Sequence, residues 1–359
     1  MFRLSLAVLL ATLSTAAAAP YQKPFGLSAA SIAAAAPNAT NRLDPSLIVK
    51  AEVLLDRDHF SPGQIDGRYG DNFRKAVRAF QQAKGLADTG NINDETWTVL
   101  TSNDSRPVLA TYTISETDVT GPFAKEIAVD LRLLAKVPGL SYKSPIEELS
   151  EKFHMSETLL RRLNPGAQFD RAGTKITVAD VQPMRLRVVR HTVEAVEPRD
   201  HEADGDSVAT IVVDKAARNV RAYDENGKLL AFYPATIGSQ EKPAPTGTFA
   251  VRRVAWNPDY HYNPKFAWKG VKTSHELTIK PGPNNPVGLV WIDLTAPSYG
   301  IHGTADAATI GKSESHGCIR LTNWDALDLA ARVHRGTVVK FEEQDLPVAA
   351  LTSKTSDQR

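Results

Sequence analysis

The chain has 359 residues, nearly balanced charge (42 Lys and Arg against 41 Asp and Glu, net +1) and a single cysteine. At about 150 residues per domain, that length predicts two to three domains, each able to bury its own core. The charge balance excludes the basic footprint of a nucleic-acid binder, and one cysteine excludes an internal disulfide and any cysteine-rich metal or iron–sulfur site. Past the first residues, no run of ~18 apolar residues predicts a membrane span.

The N-terminus predicts export. Met1-Phe2-Arg3 is a short basic start, Leu4 to Leu13 is mostly apolar but too short to span a bilayer, and Ala16 to Ala19 supplies the small residues of a cleavage site. Residues 1–19 are therefore expected to be a secretory signal, followed by an Ala-rich linker over 20–41. In the oxidising space beyond the membrane, an odd cysteine reads as a reactive thiol.

From Asp44 to Leu100 the pattern is helical. Pro45 sits at a helix start, and Leu47, Ile48, Val53 and Leu54 recur near helical spacing until Ser61-Pro62-Gly63. A second helix from about Asp71 carries Phe73, Val77 and Phe80 on one face and ends at Gly85. A third, capped by Asn93 or Asp94, turns Trp97 and Leu100 inward. Asp56, Asp58 and Asp66 lack the spacing and the terminal Glu of a calcium loop. The strings Gln64-Ile65-Asp66-Gly67-Arg68-Tyr69-Gly70, Ala76-Val77-Arg78-Ala79-Phe80-Gln81, Gly85-Leu86, Thr89-Gly90 and Thr96-Trp97 together resemble the small helical peptidoglycan-binding domain, placed here at 42–102.

A second small unit is predicted over 141–182. Pro145 opens a helix carrying Ile146, Leu149 and Phe153, Ser156 caps another carrying Leu159, Leu160 and Leu163, and Gly173 precedes a strand from Lys175 to Val178. The unit resembles a LysM module, although Val137-Pro138-Gly139-Leu140-Ser141 stands where that family has its opening strand and turn. The resemblance implies affinity for the glycan strand; a packing module between two functional domains fits the same residues.

A charged stretch from Glu194 to Asp206 is expected to be a linker, and after it the period changes to two. Strands are predicted at Thr210 to Asp214, Val220 to Tyr223, Leu229 to Phe232, Gly247 to Val254, Leu277 to Ile279, Val290 to Leu294 and Val338 to Glu342. One helix is predicted from an Asn323 cap to Val333. The fold class is therefore multidomain: a small all-α domain, a small α+β module, and a mainly-β sandwich or barrel over 207–342, with a tail at 343–359.

The cysteine lies in Ser313-Glu314-Ser315-His316-Gly317-Cys318-Ile319-Arg320-Leu321, sixteen positions after His302 of His302-Gly303. A thiol is a useful nucleophile only as thiolate, so an imidazole that takes its proton is the expected partner; His302 and His316 are the candidates. Gly303 and Gly317 permit close backbone approach, which lets amides near Cys318 point at a developing oxyanion.

This segment resembles the L,D-transpeptidase (YkuD) catalytic domain, whose signature is a His, about sixteen positions, then Ser/Thr-His-Gly-Cys-x-Arg/Asn. Pro245-Thr246-Gly247-Thr248-Phe249, Asn285-Pro286-Val287-Gly288, Tyr299-Gly300-Ile301-His302-Gly303-Thr304 and Gly336-Thr337-Val338-Val339 agree with it. The resemblance implies that Cys318 is the nucleophile and His302 the proton donor and acceptor, oriented by the Gly303 carbonyl. His316 and the amides of Gly317 and Cys318 would line the oxyanion site. Arg320, Ser315 and Tyr299 would serve substrate binding, Arg320 alternatively bracing the loop. No metal or organic cofactor is implied. The implied activity is periplasmic cross-linking of peptidoglycan, from a tetrapeptide stem to an amine of another stem or of a cell-envelope protein such as an outer-membrane acceptor. The alternatives are a thiol L,D-carboxypeptidase or amidase, and a non-catalytic wall-binding protein. The aromatic loop Trp256 to Trp268 is expected to be either a lid over the donor stem or plain surface packing.

Overall fold

A computed structural model describes residues 27–38, 44–102, 104–124, 126–128, 130–197, 207–239, 241–266, 273–315 and 317–343. The expected signal segment, residues 344–359 of the tail and His316 lie outside the described residues.

Part of the expected Ala-rich linker is a helix, α1 (Ala29–Ala34), closed by a Ser28–Ser31 capping box. Its Leu27 and Ile32 are buried. It docks on α2 (Pro45–Arg57), where the Ser46 hydroxyl donates to Ser31 Oγ (2.9 Å) and Lys50 Nζ donates to the carbonyls of Ala33 and Ala35 (2.8 and 2.9 Å). Asp44 caps α2 and Pro45 occupies its first turn, where the missing N–H costs nothing. With α3 (Asp71–Ala83) and α4 (Asp94–Ser102) it forms the predicted three-helix domain, closed over Val49, Val53, Phe73, Val77, Phe80 and Leu100. Asn93 Oδ1 accepts from Thr96 N (2.8 Å) at the start of α4. Trp97 stays half-buried beneath Lys50 Nζ, 5.5 Å from the ring centroid.

The next unit starts earlier than its sequence suggests. β1 (Leu109–Thr113) and β2 (Lys175–Ala179) pair antiparallel, from Leu109↔Ala179 to Thr113↔Lys175, and flank α5 (Glu116–Thr120), α6 (Leu131–Leu134), α7 (Pro145–Lys152) and α8 (Glu157–Leu163). β1 thus joins the expected unit 141–182 through its pairing with β2, with residues 121–143 lying between α5 and α7. A hairpin of β3 (Leu186–Val189) and β4 (Thr192–Ala195) follows. Glu194 is thus in a strand, and only the end of the expected linker, 198–206, falls outside the described residues.

The remaining strands are β5 (Thr210–Asp214), β6 (Asn219–Tyr223), β7 (Leu229–Pro234), β8 (Thr236–Ile237), β9 (Gly247–Trp256), β10 (Tyr260–Tyr262), β11 (Leu277–Ile279), β12 (Val290–Leu294), β13 (Gly300–His302), β14 (Ile319–Arg320) and β15 (Val338–Glu342), with α9 (Asn323–Arg332) before the last. Nine of them form one sheet in the order β7-β6-β5-β15-β9-β12-β13-β14-β8. β9 is shared: its first half pairs with β15 and its second half with β12. The two edge strands, β7 and β8, are separated in the chain by Ala235 alone, so the sheet must curl until its ends meet. That barrel-like closure encloses Ile211, Val213, Val220, Val251, Ile292, Ile301 and Ile319, with Leu329 of α9 packed against them.

The modules do not hang from linkers. One apolar core runs from α2 and α3 through Leu149 and Leu160 of the second unit to Val212, Tyr223, Leu229 and Phe232 of the sheet. Ser61 N donates to Phe232 O and Phe232 N to His59 O (both 2.9 Å), extending β7 onto the helical domain. Arg57 ties α2 to the second unit through Asp180 and Asp104 (2.6 and 2.9 Å). No helix among the described residues is long and apolar enough to cross a membrane.

Candidate active site

β13 and β14 are parallel neighbours, with Ile301 opposite Ile319 and His302 opposite Arg320. Cys318 immediately precedes β14, and strand alternation turns it to the face shared by Arg320 and His302. Cys318 therefore lies on the same face as His302, two positions before the residue that pairs with it, although the two are sixteen positions apart in the chain.

His302 is 3 % exposed, and its Nδ1 lies 2.7 Å from the Gly303 carbonyl oxygen. A carbonyl only accepts, so this bond places the proton on Nδ1 and leaves Nε2 as the acceptor. The Trp291 ring stacks on the imidazole at 5.3 Å and 21°. Burial pushes His302 down to about 3; the charge of Arg320 adds to the shift and the Gly303 carbonyl opposes it. Burial likewise pushes the Cys318 thiol up, against the Gly300 amide and Arg320, which favour thiolate. Near neutral pH the pair is thus a thiol beside a neutral imidazole, not a thiolate–imidazolium pair.

The loop before Cys318 is braced from inside. Ser315 is 2 % exposed; its hydroxyl donates to the Cys318 carbonyl (2.6 Å) and accepts from Gly317 N (3.3 Å). Ser315, expected at the substrate, thus also braces the loop, and its hydroxyl takes up the Gly317 amide expected at the oxyanion site. Gly317 has φ +108°, and a Cβ on it would stand 3.1 Å from Tyr299 Cε1. Tyr299 donates its hydroxyl to Pro243 O (3.2 Å), in the segment before β9. Cys318 Sγ lies 3.9 Å from the Ser298 carbonyl.

Asn323 does not cap α9. Thr322 does, its Oγ1 accepting from Asp325 N (3.1 Å). Asn323 is buried behind the base instead: its Oδ1 accepts from Leu289 N (3.2 Å), and its Nδ2 donates to Glu151 Oε2 (3.0 Å) and Pro283 O (3.3 Å). A Cβ on Gly303 would meet that Oδ1 at 2.3 Å, so only glycine lets the carbonyl that orients His302 sit here. Glu151 belongs to α7, and burial raises it to about 8. The second unit therefore reaches Asn323, which packs against Gly303 beside His302.

Sequence reasoning missed Trp291, Asn323 and Glu151, none of which belongs to a local motif. It also missed the position of Tyr260, whose signal was the aromatic loop. β10 and β11 make that loop a two-stranded flap. Tyr260 is half-buried, and its phenol is pushed up by burial and then by neighbouring Cys318. Residues 267–272 of the loop region lie outside the described residues.

A curled β scaffold that presents one cysteine beside an oriented, neutral imidazole has the arrangement of a cysteine-nucleophile acyl-transfer enzyme. Residues 209–341 match the family model of the L,D-transpeptidase catalytic domain, and residues 46–100 match that of the "Putative peptidoglycan binding domain". The Bacillus subtilis protein named "Putative L,D-transpeptidase YqjB" is 30 % identical over 157 residues, 40 % of this chain and 81 % of that protein. The chain belongs to the L,D-transpeptidase family. "Putative L,D-transpeptidase YkuD" of Bacillus licheniformis is 33 % identical over 36 % of this chain and 64 % of its own length. "Probable L,D-transpeptidase YbiS" of Escherichia coli is 28 % identical over 58 % and 62 %. The chain thus spans just under two thirds of these last two relatives.

Proposed function

We propose that the protein is a periplasmic peptidoglycan L,D-transpeptidase working by two acyl transfers on Cys318. The observation that carries this reading is the Nδ1 bond from His302 to the Gly303 carbonyl, which leaves Nε2 free to take a proton, on the strand beside the one that Cys318 leads into. Cys318 attacks the carbonyl between the L-centre of meso-diaminopimelate and the terminal D-alanine of a tetrapeptide stem, and its proton passes to His302 Nε2. With the Gly317 amide engaged by Ser315, the oxyanion falls to the Cys318 N–H. As the C–N bond breaks, His302 returns the proton to the departing D-alanine amine, leaving a thioester. An acceptor amine then attacks the thioester, gives its proton to His302, and the thiol is regenerated. The acceptor is an amine of a second stem or of a cell-envelope protein, including an outer-membrane one. Arg320 supports the thiolate electrostatically, and with Tyr299 and Tyr260 it borders the donor cleft.

The helical domain and the LysM-like unit hold the glycan strand, and the segment 1–19 directs export. Purified protein and its Cys318→Ala variant, incubated with disaccharide-tetrapeptide with and without an acceptor amine, test the reading by mass spectrometry. D-Alanine release and a cross-linked product from the wild type alone are expected. Release without cross-linking in the presence of the amine would make it a thiol L,D-carboxypeptidase, and no release under any condition would leave a wall-binding protein.

A further inference from the structure

The flap of β10 and β11 is rooted on one buried amide. Asn285 is 0 % exposed. Its Oδ1 accepts from Val287 N (2.9 Å); because that backbone group can only donate, the oxygen is fixed on this side and the Nδ2 protons face the other. Nδ2 donates to Lys280 O (2.8 Å) and lies 3.4 Å from Ile279 O and 3.5 Å from Pro258 O. Ile279 and Lys280 are on the leg that returns from the flap, and Pro258 is on the leg that enters it. Ile279 is also the register partner of Tyr260, the flap residue whose phenol feels the charges of Cys318 and Arg320.

The turn that carries Asn285 is a fixed post. Gly288 N donates to Asn285 O (2.8 Å), Asn323 takes Pro283 O and Leu289 N on either side of the turn, and Asn284 Nδ2 donates to Ser141 O (2.8 Å) in the second unit. At the far end Gly288, with φ +62°, is pressed against Gly303. A Cβ there would stand 2.7 Å from the Gly303 carbonyl carbon and 2.2 Å from Asn323 Oδ1. Gly303 is the residue whose carbonyl orients His302. One turn therefore touches the carrier of the base at one end and holds both legs of the flap at the other. β10 and β11 share only three residue pairs, and a two-stranded ribbon of that size does not set its own angle to the sheet.

We propose that Asn285 is a positioning residue of the reaction: it fixes the flap, and with it Tyr260, at one distance from Cys318 and His302. It is sealed from substrate and acts through the carbonyls of Pro258, Ile279 and Lys280. The placement of the flap follows from these bonds; that the placement serves acyl transfer rests on the function proposed above.

The test compares the full chain with its Asn285→Ser and Asn285→Asp variants. A serine hydroxyl can hold Val287 N as Oδ1 does, which keeps the turn, but it is too short to reach the three carbonyls. Single-turnover acylation at saturating tetrapeptide, followed by mass spectrometry at pH 5, should slow about tenfold or more in Asn285→Ser, while its amplitude, which counts folded sites, stays that of the wild type. Asn285→Asp should restore the rate at that pH, because burial keeps the new carboxyl protonated and its hydroxyl can donate to Lys280 O. Iodoacetamide at pH 8 should alkylate Cys318 severalfold faster in Asn285→Ser than in the wild type, since the flap no longer holds its place. Unchanged alkylation would overturn the proposal. So would an acylation rate that stays constant while the amplitude falls, which marks a role in stability alone, or Asn285→Asp remaining as slow as Asn285→Ser. If the wild type releases no D-alanine and Asn285→Ser still raises alkylation, Asn285 sets the flap and the proposed reaction falls.

Discussion

The electrostatics of His302 make a prediction that separates this site from an ordinary cysteine–histidine pair. Burial and the Arg320 charge hold the imidazole at about 3, against 6.5 for a free histidine. At pH 5 an unshifted histidine would be neutral in about 3 % of molecules, whereas His302 is neutral in about 99 %, a difference of roughly thirtyfold in competent base. Acylation of Cys318 by tetrapeptide, followed by single-turnover mass spectrometry, should therefore stay nearly flat from pH 8 down to pH 5. Alkylation of the free thiol by iodoacetamide should instead climb with pH to a midpoint above the ordinary thiol value, because burial raises Cys318. The same shift acts on stability. The unfolded chain binds a proton at His302 below pH 6.5 that the folded chain refuses until about pH 3. Stability from this residue is therefore complete above pH 6.5 and is lost as pH falls towards 3, by on the order of 5 kcal/mol. An acid limb in acylation with a midpoint near 6.5, or pH-independent alkylation below pH 7, would refute the neutral-pair assignment.

Arg320→Met removes the charge that disfavours imidazolium and favours thiolate, so both His302 and Cys318 should titrate higher; the acid limb of the acylation profile should move up in pH. Ser315→Ala strands the Gly317 amide and the Cys318 carbonyl, at a cost of about 1–3 kcal/mol in denaturant unfolding together with slower acylation. Asn323→Ala leaves Leu289 N and Pro283 O without their partner and removes one of the two donors to Glu151, behind His302. About 2–4 kcal/mol should be lost by the same measurement, with kcat falling more than KM rises. Phe232→Ala opens a cavity where the helical domain meets β7 and should cost about 3–5 kcal/mol, lowering the melting of helices and sheet together in calorimetry.

What the sequence disclosed divides along a physical line. β12 alternates buried and half-buried residues at period two, β5 and β6 are short runs of buried residues, and α3 carries an apolar face at helical spacing, so local pattern specifies these elements. His302, Gly303, Gly317, Cys318 and Arg320 are legible because a turn and two short strands bring them together through a compact motif. The failures are all relations between distant segments. β1 is ordinary until β2 supplies its partner, and α1 resembles Ala-rich linker until Lys50 and Ser46 bind its end and its face. Asn323 sits in sequence where a cap belongs, yet Thr322 takes that place and frees Asn323 to hold Leu289 and Glu151. Ser315, beside the nucleophile, is drawn inward because two backbone groups of a tight turn need its hydroxyl more than solvent does.

Under the function proposed above, the docking of the modules changes what binding to the wall can accomplish. Modules on flexible linkers would raise the local concentration of stems by tethering alone, with an effective concentration set by linker length. Here the three-helix domain, the second unit and the sheet share one apolar core, and β7 continues onto the Phe60 segment by backbone hydrogen bonds. A strand held by such a body reaches Cys318 at a fixed distance and angle, so binding contributes orientation as well as proximity. The contacts run to the catalytic loops themselves. Asn72 at the start of α3 donates to Ile310 O (2.9 Å) in the loop after His302, and Glu151 of α7 holds Asn323 beneath Gly303. The two modules thus contact the middle of the segment between His302 and Cys318, through Ile310, and Asn323 behind Gly303, through Glu151. Removing either one would disturb the geometry of the site, not merely its supply of substrate.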